Sequence, residues 1–334
     1  GSDTVQYFQW RKSRGASEKF HGAVVDHCGH EHTRVFQDVA DLGKLLSKMD
    51  GVIGTGTDSK VALIYDWENR WAIKELQGLQ REDKKYMETC FAHYRPFWEN
   101  AVSVDIASPH HDLSKYTLVI APMLYMTDAD TIRILKEYVN GGGTLVCTYL
   151  TGYVNENDLC YLGGFPAQEL KEVFGLWSEE IDTLYPDDRN FAVLSNGKQY
   201  EIHDYCEIIH PSTAEVLASY QQDFYASQPA LCRNVYGKGC AYYIAFRNND
   251  DFLDDFYGNL ISKLNLPKAL SCPLPKGVTA HLREGDGQTY LFLENYNDTS
   301  CSLTLEETYI DLETEKTITG TLLLPPFGSM VLTK

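Results

Sequence analysis

Apolar residues along the chain change period several times, and each change marks an element. Thr4-Val5-Gln6-Tyr7-Phe8-Gln9-Trp10 is short, rich in aromatics and unbroken by Gly or Pro, which predicts one buried strand. A polar loop follows to about Thr33. Val35, Val39, Leu42, Leu46 and Met49 then recur at helical spacing, the stripe of an amphipathic helix that ends before Gly51. One strand, one loop and one helix cannot bury a core alone. This opening therefore reads as half of a βα unit whose neighbours are missing.

From Lys60 short apolar runs alternate with helical patterns: Val61 to Tyr65, a helix through Tyr86, Phe91 and Trp98, Val102 to Ile106, Thr117 to Ala121, a helix from Asp128 to Asn140, and Thr144 to Tyr149. Strands joined by helices predict a parallel sheet covered on both faces. Asp128 is placed to cap its helix, Gly141-Gly142-Gly143 supplies a positive-φ exit, and Pro96 predicts a kink or break. After Ser178 the pattern turns strand-rich: Phe191 to Leu194, Gln199 to His203, Glu215 to Tyr220, Ala230 to Val235 and Cys240 to Phe246, with a helix from Phe252 to Leu264 closing a second domain. Pro267, Pro273 and Pro275 punctuate a linker. Beyond it Val278 to Leu282, Thr289 to Leu293, Ser300 to Leu305, Thr317 to Leu324 and Met330 to Thr333 alternate with the period of a small antiparallel sandwich.

Composition narrows the functional classes. A net charge of −18 argues against a nucleic-acid partner, because phosphate neutralisation needs a basic face. Apolar residues at 43% exclude intrinsic disorder, and no apolar run is long enough for a membrane span. The 334 residues suggest two or three domains. Nine scattered cysteines fit neither a disulfide framework nor a Cys-x-x-Cys metal site, which points to a reducing, cytoplasmic compartment. No signal peptide is visible, so the sequon Asn297-Asp298-Thr299 carries no glycosylation reading. The chain opens on Gly1-Ser2 rather than Met, as expected of a piece of a longer polypeptide.

Several motifs suggest chemistry and then fail on context. Gly54-Thr55-Gly56-Thr57-Asp58-Ser59-Lys60 precedes a strand, whereas a phosphate loop follows one and opens a helix, so it reads as a linker. His27-Cys28-Gly29-His30-Glu31-His32 is rich in metal ligands but lacks a second cluster to complete a shell, and reads as polar loop packing. Cys147 sits in mid-strand without the sharp turn of a nucleophile and reads as a buried thiol. The densest polar constellation is Phe8-Gln9-Trp10-Arg11, Ser13-Arg14-Gly15, Glu18 and His21. An aromatic strand leading into such a loop suits the C-terminal mouth of a (β/α) barrel, where aromatic faces and polar side chains hold a carbohydrate; a solvated loop with its own salt bridges is the other reading.

Gln9-Trp10-Arg11, Ser13-Arg14-Gly15 and Glu18-Lys19-Phe20-His21-Gly22-Ala23 resemble the last barrel strand and following loop of the glycoside hydrolase family 42 β-galactosidases. Asp66-Trp67-Glu68-Asn69, Pro122-Met123-Leu124-Tyr125, Gly141 to Val146 and Asn155-Glu156-Asn157-Asp158 are similar to that family's central trimerisation domain. The resemblance implies an α/β architecture: a leftover βα segment of a TIM barrel over residues 1–50, a flavodoxin-like trimerisation domain over 51–266, and a C-terminal antiparallel β-sandwich over 267–334. It implies a homotrimer, a β-galactoside substrate hydrolysed with retention, and no cofactor or metal. The family's two catalytic glutamates and its barrel zinc cysteines lie on earlier barrel strands, so this chain is expected to lack them and to be inactive alone. Asp3 and Glu18 stand at neither catalytic position. By the same resemblance Phe8, Glu18 and His21 line the galactose subsite. A non-catalytic assembly or carbohydrate-binding module is the alternative.

Overall fold

The structure, a computed structural model, describes residues 4–79, 84–248 and 250–334. The chain divides into two compact units, Gly1–Asp58 with Ala269–Lys334, and Ser59–Lys268. In the first, Thr4–Trp10 forms no strand, contrary to the sequence pattern, and its side chains are mostly exposed. Pairing nearby includes the Val24 and Val25 N–H groups donating to the carbonyls of Gln9 and Trp10 and the Lys12 N–H donating to the Val25 carbonyl, but only an isolated bridge forms, between Arg11 and Val25. Extended backbone becomes a strand only against a partner, and one isolated bridge does not make one. Helix α1 (Arg34–Leu46) forms over most of its stripe but ends at Leu46, short of the expected Met49, with Thr33 Oγ1 accepting from the Phe36 N–H at 3.4 Å; none of its residues is buried.

The second unit begins with the expected alternation: β1 (Val61–Ile64), α2 (Trp67–Glu75), α3 (Tyr86–Glu99), β2 (Val104–Ala107), β3 (Leu118–Ala121), α4 (Ala129–Gly141) and β4 (Thr144–Thr148). Two helices stand where one was expected. Pro96 lies inside α3 and does not end it; Asn100 Nδ2 donates to the Pro96 carbonyl at 2.8 Å near the helix end. Asp128 caps α4 by accepting from the Thr131 N–H at 2.7 Å, and Gly142 leaves the helix at φ +122°. A side chain is excluded at Gly143, because a Cβ there would stand 2.2 Å from the Tyr138 ring.

The strand-rich stretch extends the same sheet. It comprises α5 (Leu170–Phe174), β5 (Leu176–Thr183), β6 (Asn190–Leu194), β7 (Gln199–Pro211), β8 (Glu215–Tyr220), β9 (Pro229–Tyr236), β10 (Gly239–Ile244), β11 (Phe246–Asn248) and α6 (Asp250–Lys263). Strand β10 pairs parallel with β4 and antiparallel with β9. The parallel half thus runs β2-β1-β3-β4-β10, the flavodoxin order, and the antiparallel half continues β9-β8-β6-β7-β11, with β5 on β7. One apolar core joins Val61, Leu118, Ile120 and Val146 of the parallel strands to Phe252, Leu253 and Tyr257 of α6, so α6 covers the common sheet. A second core lies under α4 and α5.

Five antiparallel strands complete the first unit: β12 (Val278–Gly285), β13 (Gln288–Asn295), β14 (Cys301–Asp311), β15 (Thr317–Leu324) and β16 (Ser329–Thr333), ordered β12-β13-β16-β14-β15. They form the sandwich-like C-terminal fold expected from the period-two pattern, with Leu291, Leu293, Leu324 and Leu332 inside. Residues 48–57 belong with them. Gly56 bridges Glu284, the Arg283 guanidinium donates to Thr55, and Lys48 Nζ donates to the Glu313 carbonyl at 2.6 Å. A Cβ at Gly51 would meet the Tyr290 hydroxyl at 2.2 Å, so a larger residue there would displace the Tyr290 ring.

Candidate functional site

The loop that carries the carbohydrate-like residues is held by a few local bonds. Lys12 Nζ pairs with Asp26 at 2.7 Å, which keeps the Asp26 carboxyl below its ordinary range. Gln9 Nε2 donates to Ser13 Oγ at 3.1 Å, and a ring nitrogen of His27 meets the Ser13 carbonyl at 3.0 Å. These contacts tie the start of the loop to its end. Glu18 and His21 share one turn, closed by the His21 N–H donating to the Glu18 carbonyl at 3.0 Å, and both side chains face solvent. Phe8 is 74% exposed. The structure therefore brings Glu18 and His21 together in an open loop, and leaves Phe8 as an uncovered ring upstream. Asp3 lies outside the described residues.

The motifs set aside on sequence context have ordinary surroundings. The Gly54–Lys60 segment leads into β1. The His27–His32 loop is exposed, and no group of three or more metal-ligating side chains converges among the described residues. Cys147 is fully buried in β4, and burial pushes its thiol up, away from the thiolate a nucleophile needs. All nine cysteines are free thiols. No helix among the described residues is long and apolar enough to cross a membrane.

Two polar clusters in the second unit were not singled out from the sequence. In an open α/β sheet of this order, ligands bind where the loops after β1 and β3 diverge. Here that crevice is filled by the chain itself. Asp66 caps α2 by accepting from the Asn69 N–H at 2.8 Å, and the buried Asn69 carboxamide donates to the Met123 carbonyl at 3.0 Å and accepts from the Met126 N–H at 2.8 Å. Met123, Tyr125, Tyr149 and Leu150 pack alongside. Asn69 ties the start of α2 to the loop after β3.

The other cluster surrounds Glu207 on β7, which has no solvent-exposed surface. Its oxygens accept from Tyr153 Oη at 2.9 Å, Tyr243 Oη at 2.9 Å and the Leu150 N–H at 3.2 Å, while the Ser178 hydroxyl adds a further bond. None of these partners is a cation. Burial consequently pushes the carboxyl up to about 7, against the pull of its donors. Enclosed on every side, Glu207 links β7 to β10, to β5 and to the loop after β4, and reaches no substrate. Its one sequence signal is a lone acid in the run Tyr205-Cys206-Glu207-Ile208-Ile209.

A flavodoxin-ordered sheet extended by antiparallel strands, an antiparallel C-terminal unit and an exposed aromatic, polar loop define a multi-part α/β protein. Residues 59–267 match the β-galactosidase trimerisation domain, residues 1–49 the β-galactosidase glycoside hydrolase 42 domain, and residues 277–334 the β-galactosidase C-terminal domain. The chain belongs to the family 42 β-galactosidases. It is 50% identical to a β-galactosidase of Clostridium perfringens over 98% of its own length and 48% of the relative's. It is 43% identical to the β-galactosidase GanA of Bacillus subtilis over 98% of this chain and 48% of that protein. Among solved structures, Gan42B, a family 42 β-galactosidase from G. stearothermophilus, superposes with a TM-score of 0.97 at 48% identity, covering all of this chain and 48% of that one. The chain thus spans about half the length of the relatives it matches.

Proposed function

We propose that this chain is the C-terminal half of a retaining β-galactosidase that hydrolyses terminal non-reducing β-D-galactosides in the cytoplasm. Its part is assembly, as a homotrimer, and one edge of the galactose subsite, where Phe8 stacks on the sugar and Glu18 and His21 bond its hydroxyls. The domain assignment follows the same reading, with residues 1–50 as the last barrel unit, 51–266 as the trimerising domain and 267–334 as the C-terminal domain. The observation that carries it is the exposed turn holding Glu18 and His21 beside an uncovered Phe8, in a chain of this family. Retention requires two carboxyl groups about 5 to 5.5 Å apart across the scissile bond, and neither role falls to Glu18. The residues here hold the sugar, and cleavage belongs to glutamates on the earlier barrel strands.

The test is an aryl β-galactoside assay on the purified chain, free of host enzyme, beside the same chain joined to the barrel region encoded upstream. Release of the aryl alcohol only by the joined protein supports the reading. Turnover by the chain alone refutes it. An upstream reading frame without two barrel glutamates would instead favour a non-catalytic binding module.

A further inference from the structure

The turn that carries Glu18 and His21 sits on a loop whose ends are fastened to each other. At the neck the Lys12 N–H donates to the Val25 carbonyl at 3.1 Å and the Val25 N–H to the Trp10 carbonyl at 2.7 Å. Asp26 closes the neck, with Oδ2 accepting from Lys12 Nζ at 2.7 Å and Oδ1 from the His27 N–H at 2.6 Å. Between Lys12 and Val24 the backbone forms neither helix nor strand, so regular structure does not aim the turn. A compact loop with its ends together takes its shape from its own side chains.

One side chain reaches from the neck to the turn. His27 Nε2 donates to the Ser13 carbonyl at 3.0 Å, the carbonyl oxygen being able only to accept. The same imidazole stands edge-on to Phe20, with ring centroids 6.4 Å apart and planes at 89°. Phe20 lies between Glu18 and His21 and is 80% exposed, so its ring has little other support. It sits inside the turn that the His21 N–H closes on the Glu18 carbonyl, and a shift of Phe20 therefore moves the turn as a whole. His27 is thus the one member of the histidine-rich run His27–His32 that touches both the start of the loop and the turn.

We propose that His27 is a positioning residue for galactoside hydrolysis. Through Ser13 at the neck and Phe20 in the turn it sets the direction in which Glu18 and His21 meet the sugar hydroxyls, while Asp26, held by Lys12, fixes the backbone of His27 itself. His27 need not touch the sugar; it acts through its neighbours. Hydrogen bonds weaken steeply as distance and angle depart from their optimum, so a turn that is intact but rotated would bind its hydroxyls poorly without any loss of fold. The inference rests on the assignment of Glu18 and His21 to the galactose subsite above, and adds the residue that aims them.

The test is a double-mutant cycle on the chain joined to the barrel region encoded upstream, read as kcat/KM on an aryl β-galactoside with the melting temperature as a check on folding. His27→Ala is expected to lower kcat/KM about three- to thirtyfold at an unchanged melting temperature, because misplaced binding groups cost rate without costing packing. Added to Glu18→Gln, or to His21→Ala, the same substitution should cost less than it does in the parent, by a factor of at least about two in each background, since it acts through those residues. His32→Ala, in the same run but away from the turn, should keep full activity. If His27→Ala fails to fold, Phe20→Ala removes the contact at the turn and enters the same cycle. Full activity in His27→Ala, a loss of the same size in all three backgrounds, or an equal loss in His32→Ala overturns the positioning role alone. Full activity in both Glu18→Gln and His21→Ala overturns the subsite reading, and the positioning role with it.

Discussion

A carboxyl's surroundings decide what it does, and this chain holds opposite cases. Glu18 is open to solvent in a turn with His21, where a hydrogen bond to a ligand is available. Such a bond to a charged group contributes about 1.5 to 3 kcal/mol, so in the intact enzyme Glu18→Gln or His21→Ala should lower kcat/KM about ten- to a hundred-fold without shifting the melting temperature. Loss of activity only through unfolding would make the two residues structural. Glu207 is the buried case. Its carboxyl is raised from 4.5 to about 7 in the folded chain, so the stability it contributes is complete below its unfolded value and is lost as pH rises through about 7. The melting temperature should therefore fall between about pH 5 and pH 8, and Glu207→Gln, which stays neutral, should flatten that limb. A variant that retains the full slope would assign it to other groups. Asp255, held below the ordinary range by Lys198 and Tyr200, acts at lower pH in the opposite sense, its stability being lost as pH falls.

At the scale of elements, capping and close approach do most of the fastening. Asn69→Ala would leave the buried Met126 N–H without its acceptor and the Met123 carbonyl with the Tyr125 N–H alone, and should cost about 1 to 3 kcal/mol, read as a lower denaturation midpoint. The glycine run after α4 offers a sharper comparison. At Gly141 a Cβ would meet nothing within 4 Å, whereas at Gly143 it would stand 2.2 Å from the Tyr138 ring. Gly141→Ala should be neutral or stabilising by about 0.5 to 1 kcal/mol, and Gly143→Ala clearly destabilising, in the same midpoint measurement. Equal effects would show that backbone entropy, and not the ring, sets the requirement.

For the molecule as a whole, thiol reactivity separates surface from core. Cys28 and Cys160 are exposed, while Cys90, Cys147, Cys206 and Cys232 are buried, with the thiols of Cys90, Cys206 and Cys232 pushed up to about 12 by burial. A thiol reagent should modify Cys28 and Cys160 quickly in the native chain, and all nine cysteines once it is denatured without reductant. Pairs missing from the denatured count would mean disulfides and an oxidising compartment. A net charge of −18 makes separate chains repel one another, so association of this chain should strengthen as added salt screens that charge.

Local chemistry determined the elements. The stripe from Val35 to Leu46 made α1, the apolar run at Val61 made β1, Asp128 capped α4, and the period-two pattern after Pro275 made the C-terminal strands, because caps and periodicity act within a few residues. The family was readable too, in the motifs around Trp10, Asp66 and Pro122. Tertiary structure decided which elements found partners. Thr4–Trp10 has strand composition and no neighbouring strand, so it stays irregular. Strand β10 inserts beside β4 and joins the parallel and antiparallel stretches into one sheet, a pairing across about a hundred residues that no local pattern encodes. Asn69 and Glu207 look like ordinary polar residues in sequence. Only folding brings the Met123 and Met126 backbone to one, and Tyr153, Tyr243 and Leu150 to the other, because a buried polar group is defined by the donors and acceptors that distant segments deliver to it.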